Sequence, residues 1–103
     1  MLPLLLQSPD EITVDVARRV RALRREQRWT QAELAARAGI TLATYRRFER
    51  TGRIAFERLV RVALVLDALD GFDRLFALPP AASLDELESR IAGDARGRRR
   101  DHA

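Results

Sequence analysis

With 103 residues, 47% of them apolar, the chain is long enough for one small domain with a helical core. It contains no cysteine, which excludes a disulfide framework and a thiolate metal site and favours a reducing cytoplasm as its location. The formal net charge is +4, and all nineteen basic residues are arginines.

These charges are segregated along the chain. Residues 1–17 contain three acidic residues and no arginine, whereas residues 18–61 contain thirteen arginines and four acidic residues. Residues 62–95 contain two arginines and seven acidic residues, and the last eight residues contain four arginines and one aspartate. A surface that is merely solvated usually mixes the two signs. The pattern therefore predicts one basic face, suited to nucleic acid, and one acidic flank.

Six of the N-terminal residues 1–7 are apolar, but they are too few for a membrane span, and they lack the basic residue of a signal peptide. We interpret them as an apolar arm. The first helix is predicted to begin after Ser8, because serine is a good N-cap, proline follows it, and Glu11 completes a capping box. The helix should extend to about Gln27, with a core stripe formed by Ile12, Val16, Val20 and Leu23.

Arg24 falls on the buried side of this first helix. A buried charge whose partner is removed typically costs about 3–5 kcal/mol, so Arg24 needs an acidic partner. Glu49 is the best candidate in the sequence.

Residues 30–53 predict two short helices joined by a tight turn. Thr30 and Glu33 form a capping box, and Gly39 occupies the position where helices commonly end in a left-handed conformation. Thr41 is an N-cap for the next helix. The inward side chains of the pair are expected to be Leu34, Ala35, Ala38, Tyr45, Phe48 and Glu49. Two helices this close, with a small residue at their crossing, are typical of a helix-turn-helix.

The outer face of the second helix of this pair carries short apolar side chains followed by arginines: Leu42, Ala43, Arg46, Arg47 and Arg50. This order suits a helix in a major groove, with its first residues at base edges and its arginines near guanines or phosphates. A plain helical hairpin with a basic, solvated face is the alternative.

A fourth helix is predicted from Ile54 to Leu69, and a short fifth helix from Asp70 to Phe76. Leu78, Pro79 and Pro80 then begin a linker. A capping box at Ser83 opens an amphipathic helix with one apolar stripe, formed by Leu84, Leu87 and Ile91. This helix packs on its own domain or docks on a partner. Residues 93–103 are expected to be a disordered basic tail that adds nonspecific attraction to DNA or solubility.

An enzyme is not expected. The single histidine, His102, lies in the predicted tail, and the sequence has no nucleophile beside a base and no glycine-rich phosphate loop. Asp67, Asp70 and Asp73 lack the ligand spacing of a calcium-binding loop. We therefore assign no catalytic residue, metal ligand or cofactor.

Residues 16–75 resemble the Xre/Cro-like helix-turn-helix family of phage and bacterial repressors. The matching residues are Arg24, Trp29, Thr30, Gln31, Leu34, Ala35, Gly39, Ile40, Phe48, Glu49 and Gly52. The resemblance implies an all-α, five-helix lambda-repressor-like DNA-binding domain over residues 8–77. A linker and the amphipathic helix over residues 78–92 would follow it.

The resemblance also implies roles for individual residues. Those expected to face the bases are Leu42, Ala43, Arg46 and Arg47, and those that the family places at DNA phosphates are Gln31, Thr41 and Arg53. From their positions at the start of the second helix and on the outer face of the third, we also assign Thr30 and Arg50 to phosphates. The family arginine that matches Arg24 pairs with the glutamate that matches Glu49. The chain departs from the family pattern by one inserted residue, Thr51, which leaves the reach of Arg53 open.

These observations predict a sequence-specific repressor that binds double-stranded DNA as a homodimer on a palindromic operator. An alternative is an antitoxin, because the short sequences R-R-F-E-R-T-G-R and D-G-F-D-R-L-F resemble HipB-like regulators. Such proteins repress their own operon and also bind a HipA-like toxin kinase. A phage or mobile-element repressor that acts alone is a third possibility.

Overall fold

A computed structural model of the chain describes residues 3–101, of which Leu4 and residues 96–101 are described by their backbone alone. Met1, Leu2, His102 and Ala103, which belong to the predicted arm and the predicted tail, lie outside the described residues. The chain divides into two compact units, Met1–Asp73 and Arg74–Ala103.

Every regular element of the described chain is helical, so the predicted all-α fold is confirmed. A short 3-10 helix at Leu4–Leu6 precedes six α-helices: α1 (Pro9–Glu26), α2 (Gln31–Ala38), α3 (Leu42–Thr51), α4 (Phe56–Val65), α5 (Asp70–Asp73) and α6 (Leu84–Asp101). Within residues 3–101, no helix has both the length and the hydropathy needed to cross a membrane.

The first three helices begin at the predicted side-chain caps. At each of these N-caps a hydroxyl oxygen accepts a hydrogen bond of 3.0–3.2 Å from the amide three residues later: Ser8, Thr30 and Thr41. The Glu33 carboxylate in turn accepts the Thr30 amide at 3.0 Å, which completes the capping box of α2. Ala55 occupies the N-cap of α4 and supplies no such bond.

The core of the first unit lies where α3 packs on α1 and α2, and where α2 packs on α4. Its largest fully buried side chains are Tyr45, Phe48, Leu34, Leu66 and Val62. Ala17 is the fully buried apolar residue of α1, whereas the four residues predicted as its core stripe are half-buried. The face of α1 that contacts the core is therefore centred closer to Ala17, which has a short side chain, than to the predicted stripe.

Two left-handed glycines end α2 and α3. Gly39 has φ 70°, and the following Ile40 amide donates to the Ala35 carbonyl at 3.0 Å, which is typical of a Schellman motif. Gly52 has φ 78°, and a Cβ placed on it would lie 2.6 Å from the carbonyl carbon of Thr13. The end of α3 therefore approaches the backbone of α1 too closely for any side chain.

The predicted end of the fourth helix is wrong, since α4 stops at Val65 and not at Leu69. Asp67 adopts a left-handed φ of 55°, and the Ala68 amide donates to the Ala63 carbonyl at 2.9 Å. The side-chain amide of Gln27 donates to the carbonyl of Leu66 at 2.8 Å, so the residue that follows α1 satisfies the end of α4.

The buried residues of α4 lie toward its C-terminal end. Val62, Ala63 and Leu66 are buried, whereas Phe56 is 61% exposed. Phe56 is the first residue of α4, and its ring meets the edge of the Phe72 ring with a centroid distance of 5.7 Å. The short helix α5 ends at Asp73, three residues before the predicted end at Phe76.

The second unit contains α6. Its predicted cap is present, because the Ser83 hydroxyl accepts the Glu86 amide at 3.1 Å. The helix passes Gly93, where the sequence predicts a disordered tail, and continues to Asp101. Once a helix has nucleated, each added residue gains a hydrogen bond, and residues 93–101 contain no proline that would stop this growth.

We predict that Gly52→Ala destabilises the chain strongly. A left-handed conformation in a residue other than glycine costs about 1–3 kcal/mol, and the overlap with the α1 backbone adds to this cost. Urea unfolding measures the difference in the free energy of unfolding. Gly71→Ala is the control, because its Cβ would meet nothing within 4 Å. Equal loss of stability in the two variants would contradict the close approach described for Gly52.

Candidate nucleic-acid interface

The inner face of α3 fixes this helix on the rest of the domain. Tyr45 and Phe48 are 0% and 1% exposed, and their ring centroids lie 6.3 Å apart. Since these residues are three positions apart, they lie on the same side of the helix and leave the opposite side outside.

Arg24 and Glu49 form an ion pair between α1 and α3. The Arg24 Nε lies 2.9 Å from Glu49 Oε1 and the Nη2 lies 3.3 Å from Oε2, so the guanidinium contacts both carboxylate oxygens. The two side chains are 9% and 5% exposed. The remaining Arg24 Nη1 donates to the Trp29 carbonyl at 2.9 Å, which fastens the connection between α1 and α2. The pair thus joins α1 to α3 and also holds the connection that leads into α2.

The Glu49 carboxylate is kept charged by its neighbours. Burial alone would raise its pKa, but hydrogen bonds from Arg24, Gln31 and Tyr45 outweigh burial and lower the pKa of Glu49 below its ordinary value. Burial and the nearby Glu49 carboxylate raise the pKa of the Tyr45 hydroxyl, which donates to Glu49 Oε1 at 3.1 Å. This hydroxyl therefore stays protonated and serves as a donor.

Gln31 connects this buried network to the outer face of α3. Its side-chain amide nitrogen donates to Glu49 Oε2, and its amide oxygen accepts a hydrogen bond of 3.3 Å from Nε of Arg46. Sequence reasoning assigned Gln31 to a phosphate and missed these internal partners. An amide nitrogen has two hydrogens, so one donor of Gln31 remains for an external group.

The outer face of α3 carries the side chains that the sequence assigns to DNA. Ala43, Arg46, Arg47 and Arg50 are exposed, and Leu42 is half-buried. The carboxylate of Glu49, the single acidic residue of α3, is turned inward to Arg24. The exposed side of α3 consequently presents three positive charges and no negative charge.

Arg46 and Arg47 differ in how they are held. Arg46 is tethered to Gln31, whereas no other described side chain holds the guanidinium of Arg47. A free guanidinium can present two parallel donors to one acceptor pair, such as O6 and N7 of a guanine.

The threonine caps are already engaged. The Thr41 hydroxyl accepts the Thr44 amide and donates to the Thr44 hydroxyl at 2.8 Å. A phosphate contact by Thr41 would replace that last bond. The Thr30 hydroxyl accepts the Glu33 amide, which leaves its own hydrogen free to be donated.

A small groove of about 160 Å³ lies between α3 and the start of α4, and three of its lining residues are arginines: Arg47, Arg53 and Arg58. Arg53, predicted to bind phosphate, is exposed here. The inserted Thr51 donates its hydroxyl to the Arg47 carbonyl at 2.7 Å and accepts the Arg53 amide at 3.1 Å, so it fixes this turn. Sequence reasoning missed Arg58, because its position beside Arg53 depends on the angle at which α4 leaves the turn.

A protein-family model for a helix-turn-helix matches residues 20–70. The match is about half of the chain and covers the end of α1 together with the whole of α2, α3 and α4. The comparisons with curated proteins and with solved structures gave no match.

We predict that Glu49→Ala lowers stability far more than Glu57→Ala. Removing Glu49 leaves Arg24 buried without its partner, which typically costs about 3–5 kcal/mol. Glu57 pairs with Arg61 at 2.7 Å, but both side chains are more than half exposed, and such surface pairs contribute about 0.3–0.5 kcal/mol. Thermal unfolding of the two variants measures the difference. Equal melting temperatures would show that the Arg24–Glu49 pair does not hold the fold.

Stability should also fall in acid because of Glu49. Its pKa is lower in the folded chain than the ordinary value of about 4.3, so its contribution is present above that pH and is lost as the pH falls through the folded pKa. A neutral glutamine resembles the protonated carboxylic acid. The melting-temperature difference between wild type and Glu49→Gln should therefore shrink from about pH 7 to about pH 3. A constant difference would contradict the lowered pKa.

Proposed function

We propose that this chain, which belongs to the Xre/Cro-like helix-turn-helix family and is a DNA-binding transcription regulator, acts as a homodimeric repressor on a palindromic operator. In this proposal α3 of each subunit lies in a major groove. The two half-sites lie about one helical turn, roughly 34 Å, apart.

The observation that carries the proposal is the exposed arginine face of α3. Its inner side is occupied by Tyr45 and Phe48, and its one carboxylate is bound to Arg24, so the charges directed to solvent are all positive. A helix of ten residues is about 15 Å long, and the major groove of B-DNA is wide enough to admit it.

We assign Arg47 to a guanine, because no described side chain holds its guanidinium and a bidentate contact to guanine is the most frequent specific contact of arginine. Arg46, Leu42 and Ala43 complete the base-facing set. Ala43 is exposed at the N-terminal end of α3, where its methyl group can rest against a thymine methyl. The half-buried Leu42 offers only the outer part of its side chain.

The proposed phosphate contacts lie on both sides of α3. On one side, Gln31 has a remaining amide donor and Thr30 a remaining hydroxyl hydrogen, both at the amino end of α2. On the other side, Arg53 lies in the basic groove with the newly found Arg58. Arg50 and Thr41 are also proposed to contact phosphates. Such contacts fix register and orientation, while base contacts carry the sequence preference.

Apolar side chains near the end of the first unit support the proposed homodimer. Phe56 and Leu64, which are 61% and 63% exposed, lie two turns apart on α4, and Phe72 contacts Phe56 edge-on. A two-fold interface would bury the same patch on both subunits. A palindromic operator requires this symmetry.

The antitoxin alternative is supported by α6. Leu84, Leu87 and Ile91 are 70%, 44% and 62% exposed along this helix, which leaves an apolar stripe for another protein. A pulldown from the native host distinguishes the two functions. A stoichiometric kinase-like partner favours an antitoxin, and its absence favours a repressor that acts without one.

Selection of binding sites from random duplexes by the purified chain tests the main proposal. We expect an enriched palindrome whose half-sites are separated by about one helical turn. Duplexes without any common sequence would contradict sequence-specific repression.

We predict that Arg47→Ala relaxes the preference at one base pair of the selected operator and costs about 1–3 kcal/mol there. Arg50→Ala, on the same helix, is the matched control and should weaken binding to all sequences alike because it removes a phosphate contact. Affinities for a panel of single-base operator variants measure both effects. A uniform loss with Arg47→Ala would contradict its assignment to a base.

A further inference from the structure

A second basic surface, formed by α1 and α2, lies beside the outer face of α3. It is a cleft of about 530 Å³ between the end of α1 and the start of α2, which we call the α1–α2 cleft. The buried Arg24 contributes to its floor, and six further residues line it: Arg21, Arg25, Arg28, Trp29, Thr30 and Gln31.

Three of the cleft arginines lack a counter-charge. Arg24 is neutralised by Glu49, but Arg21, Arg25 and Arg28 are exposed, and no carboxylate in the described chain pairs with them. Arg21 and Arg25 are four residues apart on α1, so they lie side by side, and like charges at this spacing repel each other. Arg28 follows the end of the helix and lines the same cleft. An anionic partner would relieve this repulsion.

Arg28 occupies a position at which glycine would be favoured. It has φ 62°, its amide donates to the Arg25 carbonyl at 3.0 Å, and the Trp29 amide donates to the Arg24 carbonyl at 3.0 Å. These two bonds define a Schellman motif whose left-handed residue is usually glycine. Backbone strain of this kind concentrates at functional positions. Here the strained residue places a guanidinium in the cleft.

The cleft continues the surface formed by α3. Gln31 lines the cleft and also accepts the hydrogen bond from Arg46 on the outer face of α3. A DNA strand that leaves the groove beside Arg46 therefore reaches Gln31 first and then the cleft arginines. From Arg21 to Arg25, α1 rises by about 6 Å, which corresponds to about two phosphates at 3.4 Å per nucleotide along the axis, and Arg28 follows just beyond the end of this helix.

We propose that the α1–α2 cleft binds the sugar–phosphate backbone of duplex DNA just outside the groove that α3 occupies. The inference rests on the proposed function, because it requires α3 to lie in a major groove. It extends that function, since each subunit would hold DNA over a longer stretch than α3 alone can reach. The extension carries no base preference, because the cleft arginines face phosphates.

The salt dependence of DNA binding tests the inference. The slope of log K against log salt changes by about 0.9 for each phosphate contact, so Arg21→Gln/Arg25→Gln/Arg28→Gln should reduce its magnitude by about 2–3. The full chain and a mixed-sequence duplex of about 30 base pairs, measured from about 50 to about 200 mM salt, provide the data. The substituted side chains are exposed, and equal melting temperatures check that folding is unchanged.

Arg61→Gln is the matched control for the single variant Arg25→Gln. The Arg61 side chain approaches Gly39, at the end of α2 opposite to the cleft. The Arg61→Gln variant should therefore keep the wild-type slope. A slope reduced equally by Arg61→Gln and Arg25→Gln would overturn the inference, because it would report overall charge only. An unchanged slope in the triple variant would also overturn it. Failure of the wild-type chain to bind any duplex would instead contradict the proposed function itself.

The variant Arg28→Gly is expected to change stability and DNA binding in opposite directions, so the two effects can be told apart. Glycine relieves the left-handed strain, so we expect a higher melting temperature together with a slope reduced in magnitude by about 1. Asp67→Gly is the control, because Asp67 closes α4 with the same motif but lies outside the cleft. It should also stabilise the chain, and it should not weaken DNA binding. An Arg28→Gly variant that kept the wild-type slope would overturn the proposed role of the cleft.

Discussion

The orientation of α3 depends on the buried ion pair between Arg24 and Glu49. Apolar packing by Tyr45 and Phe48 brings α3 to the core, but the hydrophobic effect is not directional. Charged hydrogen bonds are directional. Because the pair also involves the Trp29 carbonyl, the Tyr45 hydroxyl and the Gln31 amide, a shift of α3 would break several bonds in one buried place. The network thus specifies one position of the helix.

The arginines of the first unit serve two distinct purposes. Some are held internally: Arg19 by Asp15, Arg24 by Glu49, Arg61 by Glu57 and Arg37 over the ring of Trp29. Others have no acidic partner in the described part of the chain, and apart from Arg18 these lie on α3, in the groove beside Arg53 and in the α1–α2 cleft. The location of unpaired charge, and not the modest net charge, is therefore what makes one side of the domain suited to DNA.

Sequence analysis correctly predicted the parts of the fold that depend on interactions between residues only a few positions apart in the chain. The caps at Ser8, Thr30 and Thr41 and the left-handed Gly39 are examples, since a hydroxyl or a missing Cβ acts on its own helix turn. The end of α4 was not predictable in this way. It has no glycine, and the Leu66 carbonyl is satisfied by Gln27, which lies 39 residues earlier in the chain. The internal partners of Gln31 and the groove at Arg58 depend likewise on how separate helices meet.

The unequal tethering of Arg46 and Arg47 bears on how such a regulator can diverge. A substitution at Arg46 disturbs Gln31 and, through it, the buried carboxylate, so a new side chain there must also suit the interior. The Arg47 guanidinium is held by no other described side chain, so a substitution there disturbs no such internal contact. If Arg47 reads a base as proposed, duplicated copies of the gene could acquire new DNA preferences by changes at this one codon, without compensating mutations elsewhere in the domain.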